Sequence, residues 1–520
     1  MNKSAVALVA AFAALPIFAE IEMGAPFTDG AVLQRGMKVP VWGKVTPPMS
    51  KMLRKVRVEF AGQEKVAVVG KGGEWRVDLD PMEASKESRT MKVSELTPGF
   101  FFDSVNETVE VKDILVGEVW FASGQSNMEC PIWGGSTRYR DMKGGLMTTM
   151  TYLPNIRYVK CERKWSVEPT KLSAKWCKFT PENLQLFHRI DTRVGGPNTG
   201  VSLSAVAFYY ARELYLALDV PIGILDASWG GTNIDSWTPR IGYKDCDESI
   251  KETAEYQVKS KADWKAETDK TGPISGNIQQ PTVLYNGMVA AYAPMAMRGF
   301  IWYQGCHNGG EPQLYCAKLH ALYNGWSRDF ENPGLKLYIV QLAPFNQNWL
   351  GICMAQTQFC AEEKNAALAV TADVGNFDDI HPNDKEIVSK RLAVHALKRD
   401  YGFAIPEDDS PVLKSASFAD GKATLVFDNV KDWYVYAPDR SRKPAFELAG
   451  ADEKWHDAKV LNYRKHDGGD KDTDYIDGSE IVLSSEGVPE PVKARYMGKS
   501  RTAGTLYNEA SLPLGPFETK

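Results

Sequence analysis

Four short segments of this chain carry side chains suited to acyl chemistry. Each stands at or beyond the end of an apolar run. The first is Gly117-Glu-Val-Trp-Phe-Ala-Ser-Gly-Gln-Ser-Asn-Met128, in which Ser126 follows a glycine-containing turn. Such a turn exposes a hydroxyl above a sheet and aims a backbone N–H at whatever the hydroxyl attacks. The spacing departs from the Gly-x-Ser-x-Gly elbow, because Met128 fills the last position. Taken alone, a Gly-x-Ser serine is more often a helix cap than a nucleophile. The second is Ser228-Trp-Gly-Gly-Thr232. Its paired glycines let backbone N–H groups approach a ligand, although an isolated Gly-Gly is more often just a turn. The third is Trp302-Tyr-Gln-Gly-Cys-His-Asn308. Asn308 or Gln304 offers an amide to a developing oxyanion; His307 is a possible base, but a lone loop histidine is commonly structural or solvated. The fourth is Asp378-Asp-Ile-His381-Pro382. Asp378 and His381 are three apart, so one turn brings a base and an orienting carboxylate together, although a helix cap explains Asp-x-x-His equally well.

The elements that must position these residues change character along the chain. From residue 20 to about 113, runs such as 39–43, 56–60 and 75–79 alternate or favour β-structure between Gly and Pro punctuation, which predicts a small antiparallel sandwich. From 114 to about 402, short apolar runs at 114–122, 222–227, 300–303, 335–342 and 367–371 read as buried parallel strands. Helical patterns separate them. Ser204 is placed to cap a helix over Ala205–Leu218, and Asn383 to cap one running to about 398. Tyr315, Leu319, Leu322 and Trp326 share one helical face. The fold class expected is α/β, a doubly wound parallel sheet whose ligands sit beyond the carboxyl ends of its strands. Residues 243–276 are polar and read as an excursion over that site. From about 403 to 520, runs at 422–427, 446–449 and 481–483 predict a second β-sandwich-like module, with 465–477 as a loop.

Composition narrows the function. With 61 Lys plus Arg against 66 Asp plus Glu, the net charge of −5 gives no general grip on nucleic acid or anionic lipid. Residues 1–19 carry Lys3, then an apolar run, then Ala19, the pattern of a secretory signal peptide and therefore of an exported protein, periplasmic or secreted. No later stretch is apolar enough for a membrane span; the best, 201–225, is broken by Arg212, Glu213 and Asp219. The eight cysteines contain no Cys-x-x-Cys, and Cys306-His307 with Cys316 is poor zinc-ligand spacing, so no metal is expected. Some or most of them read as buried thiols.

Together the four segments resemble the SGNH hydrolases, and more closely the sialate O-acetylesterases. The resemblance extends to Val32-Leu-Gln-Arg35 and Val39-Pro-Val-Trp-Gly43 near the start. It also takes in Lys385 and Arg391-Leu392 after Asp379-Ile-His-Pro382, then Leu506-Tyr-Asn508 and Leu512-Pro-Leu-Gly-Pro-Phe517 near the end. It implies Ser126 as nucleophile, His381 as its base and Asp378 as the residue orienting the base. It implies an oxyanion hole of the Ser126 N–H, an N–H of Gly230 or Gly231 (Gly231 being favoured) and the Asn308 amide. Gln125 and Gln304 are expected at the substrate. One departure is visible: Gly305-Cys306-His307-Asn308 stands where the family often has Gly-Glu-Ser-Asn.

The implied activity is serine-dependent hydrolysis of O-acetyl esters on sugars, with 9-O-acetylated sialic acid foremost, and it requires neither metal nor organic cofactor. An acetylxylan or other polysaccharide acetylesterase is the alternative, because loops outside these segments choose the sugar. A secreted glycan-binding protein with a decayed site is the third reading.

Overall fold

The computed structural model describes residues 20–46, 53–132, 151–186, 203–246, 250, 278–436, 444–464 and 473–519. The expected signal segment, 1–19, and most of the expected excursion, 243–276, lie outside the described residues.

Seven strands form the sheet that carries the site: β1 (Ser104–Gly124), β2 (Leu153–Lys160), β3 (Cys177–Phe179), β4 (Ile222–Ser228), β5 (Gly299–Tyr303), β6 (Lys336–Val340) and β7 (Ala366–Ala369). Their order is β3-β2-β4-β1-β5-β6-β7. All neighbours are parallel except β3, which runs antiparallel to β2. Parallel strands are covered on both faces and so read as continuous apolar runs rather than as alternation. Every residue of β4 and β5 is buried.

Adjacent side chains on β1 show which helices cover which face. Trp120 stacks on Tyr338 of β6 and meets Tyr210 of helix α2 (Ala205–Leu218) edge-on. Phe121 points the other way, to Trp326 of helix α3 (Pro312–Asp329). Helix α4 (Leu350–Glu362) packs on α3, and helix α5 (Lys385–Arg399) packs on α2. The sheet is thus covered on both sides, and the connections diverge at β1, first to the strands on its β4 side and then to those on its β5 side. That divergence is where an open α/β sheet forms its crevice.

Sequence signals account for most boundaries. The Ser204 hydroxyl accepts the Ala207 N–H and caps α2 as expected. The expected stripe on α3, Tyr315, Leu319, Leu322 and Trp326, is buried. The cap of α5 is Asp384 rather than Asn383, its carboxylate accepting the Ile387 N–H. The adjacent acidic side chain serves the helix N-terminus where the amide was expected.

The boundary expected near 113 falls inside β1. Its first half pairs with Ser85–Thr97 of the N-terminal β-structure and its second half enters the central sheet. Asp113 adopts φ +57° between them, a left-handed conformation Asp tolerates, and its carbonyl accepts a bond from Arg157. One apolar core consequently runs from Ile21 to Ala396. The Val32-Leu-Gln-Arg35 segment has a clear structural role. Gln34, Arg35 and Arg298 all bond the Glu118 carboxylate on β1, which is buried. Burial raises that carboxyl's pKa, but the two guanidinium groups outweigh it, and the group lies below the usual range.

The C-terminal β-structure has its own core, which reaches back to Val370 and Ala372 beyond β7. Residues 473–476, expected in a loop, form a strand paired with Trp433–Tyr436. The Asp/Lys/Gly-rich composition around them concealed the alternating Tyr475 and Ile476.

Candidate active site

The carboxyl ends of β1, β4 and β5 and the segment after β7 meet at one place. Gly124 ends β1 with φ +140°, where a Cβ would collide with the Tyr303 carbonyl. Only glycine lets β1 and β5 close this tightly while the chain turns. Gln125 N–H then bonds the Tyr303 carbonyl at 3.0 Å, and Ser126 opens the single helical turn α1 (Ser126–Glu129).

His381 reaches this turn from the segment after β7. Its Nε2 lies 2.9 Å from Ser126 Oγ. Its Nδ1 lies 3.2 Å from Asp379 Oδ1, so the proton on Nδ1 is donated to the carboxylate and Nε2 is left to accept. The carboxylate in contact with the ring is therefore Asp379, not Asp378. The expectation of Asp378 rested on its spacing from His381, whereas the chain turns at 377–378, bridges Asp379 to Asn376 and bends at 380–381. Asp379 Oδ1 folds back onto the His381 backbone N–H at 2.9 Å, an Asx-type turn with a two-residue reach, and the same oxygen takes the ring. Asp378 is exposed and pairs with Arg501 of the C-terminal β-structure at 2.9 Å.

Two residues to which the sequence gave no role, Asn127 and Lys385, hold the two loops together. Asn127 Nδ2 donates to the Ile380 carbonyl at 3.0 Å, and its Oδ1 accepts from Lys385 Nζ at 2.5 Å. Lys385 is fully buried, with its ammonium 5.3 Å from the centre of the Tyr303 ring. The adjacency of Asn127 to Ser126 was the available signal; the partner lay 258 positions away. Burial pushes the His381 pKa down, and the Lys385 charge pushes it further; Asp379 and Glu129 oppose this, and the net direction is below the ordinary 6.5.

The donors expected for an oxyanion are partly separated by their existing bonds. The Gly230 N–H is already given to Glu129 Oε2 at 2.9 Å. Gly231 adopts φ +72° and faces open space, and among the described residues its N–H has no acceptor. The same holds for the Ser126 N–H. Asn308 is buried. Its Oδ1 accepts from Ile234 N–H and Gln304, while one Nδ2 hydrogen goes to Glu311 at 2.6 Å, leaving the second uncommitted to that pair. Behind it, Lys318 Nζ bridges Glu311 at 2.7 Å and Asp235 at 2.9 Å. Burial opposes the Lys318 charge, and the two carboxylates more than offset it.

Gln304 and Gln125, expected at the substrate, are turned inward. Gln304 is fully buried and spends its amide on the Thr232 carbonyl, Asn308 and the Tyr315 hydroxyl. Gln125 Oε1 accepts the Gly305 N–H at 3.1 Å and ties the loops after β1 and β5. The His307 ring is not the one on Ser126; the residue is exposed and joins this network through its backbone N–H. Burial pushes the Cys306 thiol up to about 12, so it is neutral there. A further cluster was missed: Arg163 bonds Glu129 and stands 5.5 Å over the Trp229 ring, flanking Ser126.

A hydroxyl, an imidazole on it, a carboxylate on the imidazole and free N–H groups alongside are the parts of an acyl-transfer hydrolase. Residues 116–398 of the 520 match the family model described as carbohydrate esterase, sialic acid-specific acetylesterase, and the chain belongs to that family. It is an esterase, which sets aside the non-catalytic glycan-binding reading. It is similar to the sialate O-acetylesterases of Rattus norvegicus and Homo sapiens. Each is 26% identical to it, over 66% and 70% of this chain and 67% of theirs. Among solved structures it is similar to a carbohydrate acetylesterase from Xanthomonas citri, at 28% identity and TM-score 0.75, covering 96% of this chain and all of that one. Among the described residues no helix is long and apolar enough to cross a membrane.

The charges around His381 give a measurable order of titration. NMR of the imidazole should place His381 below 6.5 in the native protein. Lys385→Met should raise its pKa by removing a positive neighbour, and Asp379→Asn should lower it further by removing a negative one. Shifts in the opposite directions would contradict the assigned contacts.

Proposed function

We propose that this esterase removes O-acetyl groups from sugar hydroxyls through an acetyl-serine intermediate, in an SGNH-type arrangement of Ser126, Gly231, Asn308 and His381. The observation that carries the reading is the 2.9 Å contact of His381 Nε2 with Ser126 Oγ. Ser126 Oγ attacks the acetyl carbonyl carbon while Nε2 takes the hydroxyl proton. The carbonyl π electrons move to oxygen, and the oxyanion rests against the N–H groups of Ser126 and Gly231 and the second Nδ2 hydrogen of Asn308. As the intermediate collapses, the bond to the sugar oxygen breaks, and His381 returns its proton to that oxygen. Water then attacks the acetyl-serine with the same base, releasing acetate and restoring Ser126. Asp379 keeps Nδ1 protonated and stabilises the imidazolium. The protein is exported through residues 1–19.

The substrate we propose is an O-acetylated sialic acid, 9-O-acetyl foremost, because the relatives named above are sialate O-acetylesterases. A second reading, another acetylated carbohydrate such as acetylxylan, rests on the Xanthomonas citri structure, which aligns over nearly the whole chain.

Acetate release from 9-O-acetylated sialic acid and from acetylated xylan, compared by kcat/KM, decides between the two. Greater release from xylan would reverse the order. On either substrate Ser126→Ala should lower kcat by about 10⁶, as loss of the nucleophile does in other serine hydrolases. Asp379→Ala should cost about 10⁴, and Asp378→Ala should leave kcat unchanged. Near-native turnover by Ser126→Ala would end the proposal.

A neutral His381 is required to accept the proton, so activity should fall as pH drops. Because its pKa is lowered, the acid limb of kcat/KM should lie below 6.5. A limb above that value would point to a different base.

A further inference from the structure

The contact between α3 and α4 carries a set of donors that the reaction does not use. Cys316 and His320 stand four apart on α3, one turn from each other on the same face. Glu362 is the last residue of α4. Cys316 Sγ, a carboxylate oxygen of Glu362 and a ring nitrogen of His320 all lie within 4.8 Å of one another. Glu362 Oε2 is 2.8 Å from His320 Nε2 and 3.6 Å from Cys316 Sγ.

We propose that Cys316, His320 and Glu362 form a binding site for a divalent transition metal of the zinc class, pinning α3 to α4 behind the loop that carries Asn308. The donor set is one thiolate, one imidazole and one carboxylate, the mixture that borderline-soft Zn²⁺ accepts, with the fourth position left to water. In a tetrahedral zinc site neighbouring ligand atoms stand about 3.3–3.5 Å apart. The sulfur–oxygen separation already meets this, and the nitrogen–oxygen pair needs to open by about half an ångström as a metal replaces the proton between them.

The surroundings orient the donors. Gln358 Nε2 donates to Glu362 Oε1 at 2.8 Å, which leaves Oε2 facing the other two ligands. The His320 ring packs edge-on against Phe359, 4.7 Å between centres. Glu362 and Glu363 stand at the carboxyl end of α4, where the helix dipole already favours a cation. Among the described residues His320 is the only basic side chain paired with Glu362. Among the described residues the one other such cluster, His395 with Asp408 and Asp409, is already neutralised by Lys398 and Arg399.

Burial and Glu362 push the Cys316 thiol up to about 12, so without metal it is protonated. Binding forms a metal–sulfur bond and releases that proton to solvent, so affinity should rise with pH.

The test uses the full chain titrated with Co²⁺ alone, read by the thiolate-to-cobalt absorption band in the near ultraviolet. The native protein should develop the band at one equivalent, and excess Zn²⁺ should abolish it. Cys316→Ser should remove it and His320→Ala should weaken binding by more than about tenfold. Gln358→Ala, which touches no metal, should weaken it by about tenfold. Circular dichroism checks that each variant folds. A native protein with no band, or a band that survives Cys316→Ser or is unchanged in His320→Ala, overturns the proposal. Zn²⁺ should also raise the unfolding midpoint of the native chain and not that of Cys316→Ser.

Discussion

The site depends on one hydrogen bond between side chains 255 positions apart, His381 Nε2 to Ser126 Oγ. A displacement of about 1 Å between reacting groups can cost on the order of 10² in rate. Much of the surrounding structure limits that displacement. Gly124 lets β1 and β5 close, Gln125 ties the loop after β1 to the loop after β5, and Asn127 ties α1 to the backbone beside His381. Asp379 fixes both the backbone and the ring of His381 with one oxygen. The C-terminal β-structure completes the support through Tyr507, which reaches Asp373, whose carboxylate is forked by Arg391 of α5.

Charge is handled in the same way around the site. Lys385, Lys318 and Asp226 are deeply buried and partnered, Asp226 with the half-buried Lys160, and Glu129 sits between Arg163 and the Gly230 N–H. Removing one member of a buried pair costs roughly 3–5 kcal/mol, so these groups hold their partners in one arrangement. Under the proposed mechanism, dipoles and charges are already aimed before an ester arrives, and little reorganisation accompanies the appearance of an oxyanion. The Lys385 ammonium has two effects, orienting Asn127 and holding His381 toward its neutral form.

What the sequence made readable follows from how local each signal is. The buried strands and the capped helix α2 were readable because apolar runs and an N-cap serine are neighbours in the chain. Ser126 and His381 stood out because each lies in a motif just beyond a strand end. The three-residue spacing favoured Asp378 over the adjacent Asp379, but the chain makes an Asx-type turn that puts Asp379 on the ring. Gln125 and Gln304 could not be told from substrate ligands, because their partners, Gly305 and Thr232, come from other strands' loops. The boundary near 113 was invisible as a continuous strand, since β1 changes from alternating to uniformly buried where it leaves one layer for the other. The pairing of Cys316 and His320 with Glu362 needed the packing of two helices and could not be read from cysteine spacing alone.

The most direct test of the central claim is labelling by a fluorophosphonate followed by peptide mapping. The account predicts a single adduct on Ser126 in the native protein, formed far more slowly when His381 is replaced by Ala, because the hydroxyl then lacks the base that takes its proton. An adduct on another serine, or labelling of Ser126 at an undiminished rate without His381, would contradict it.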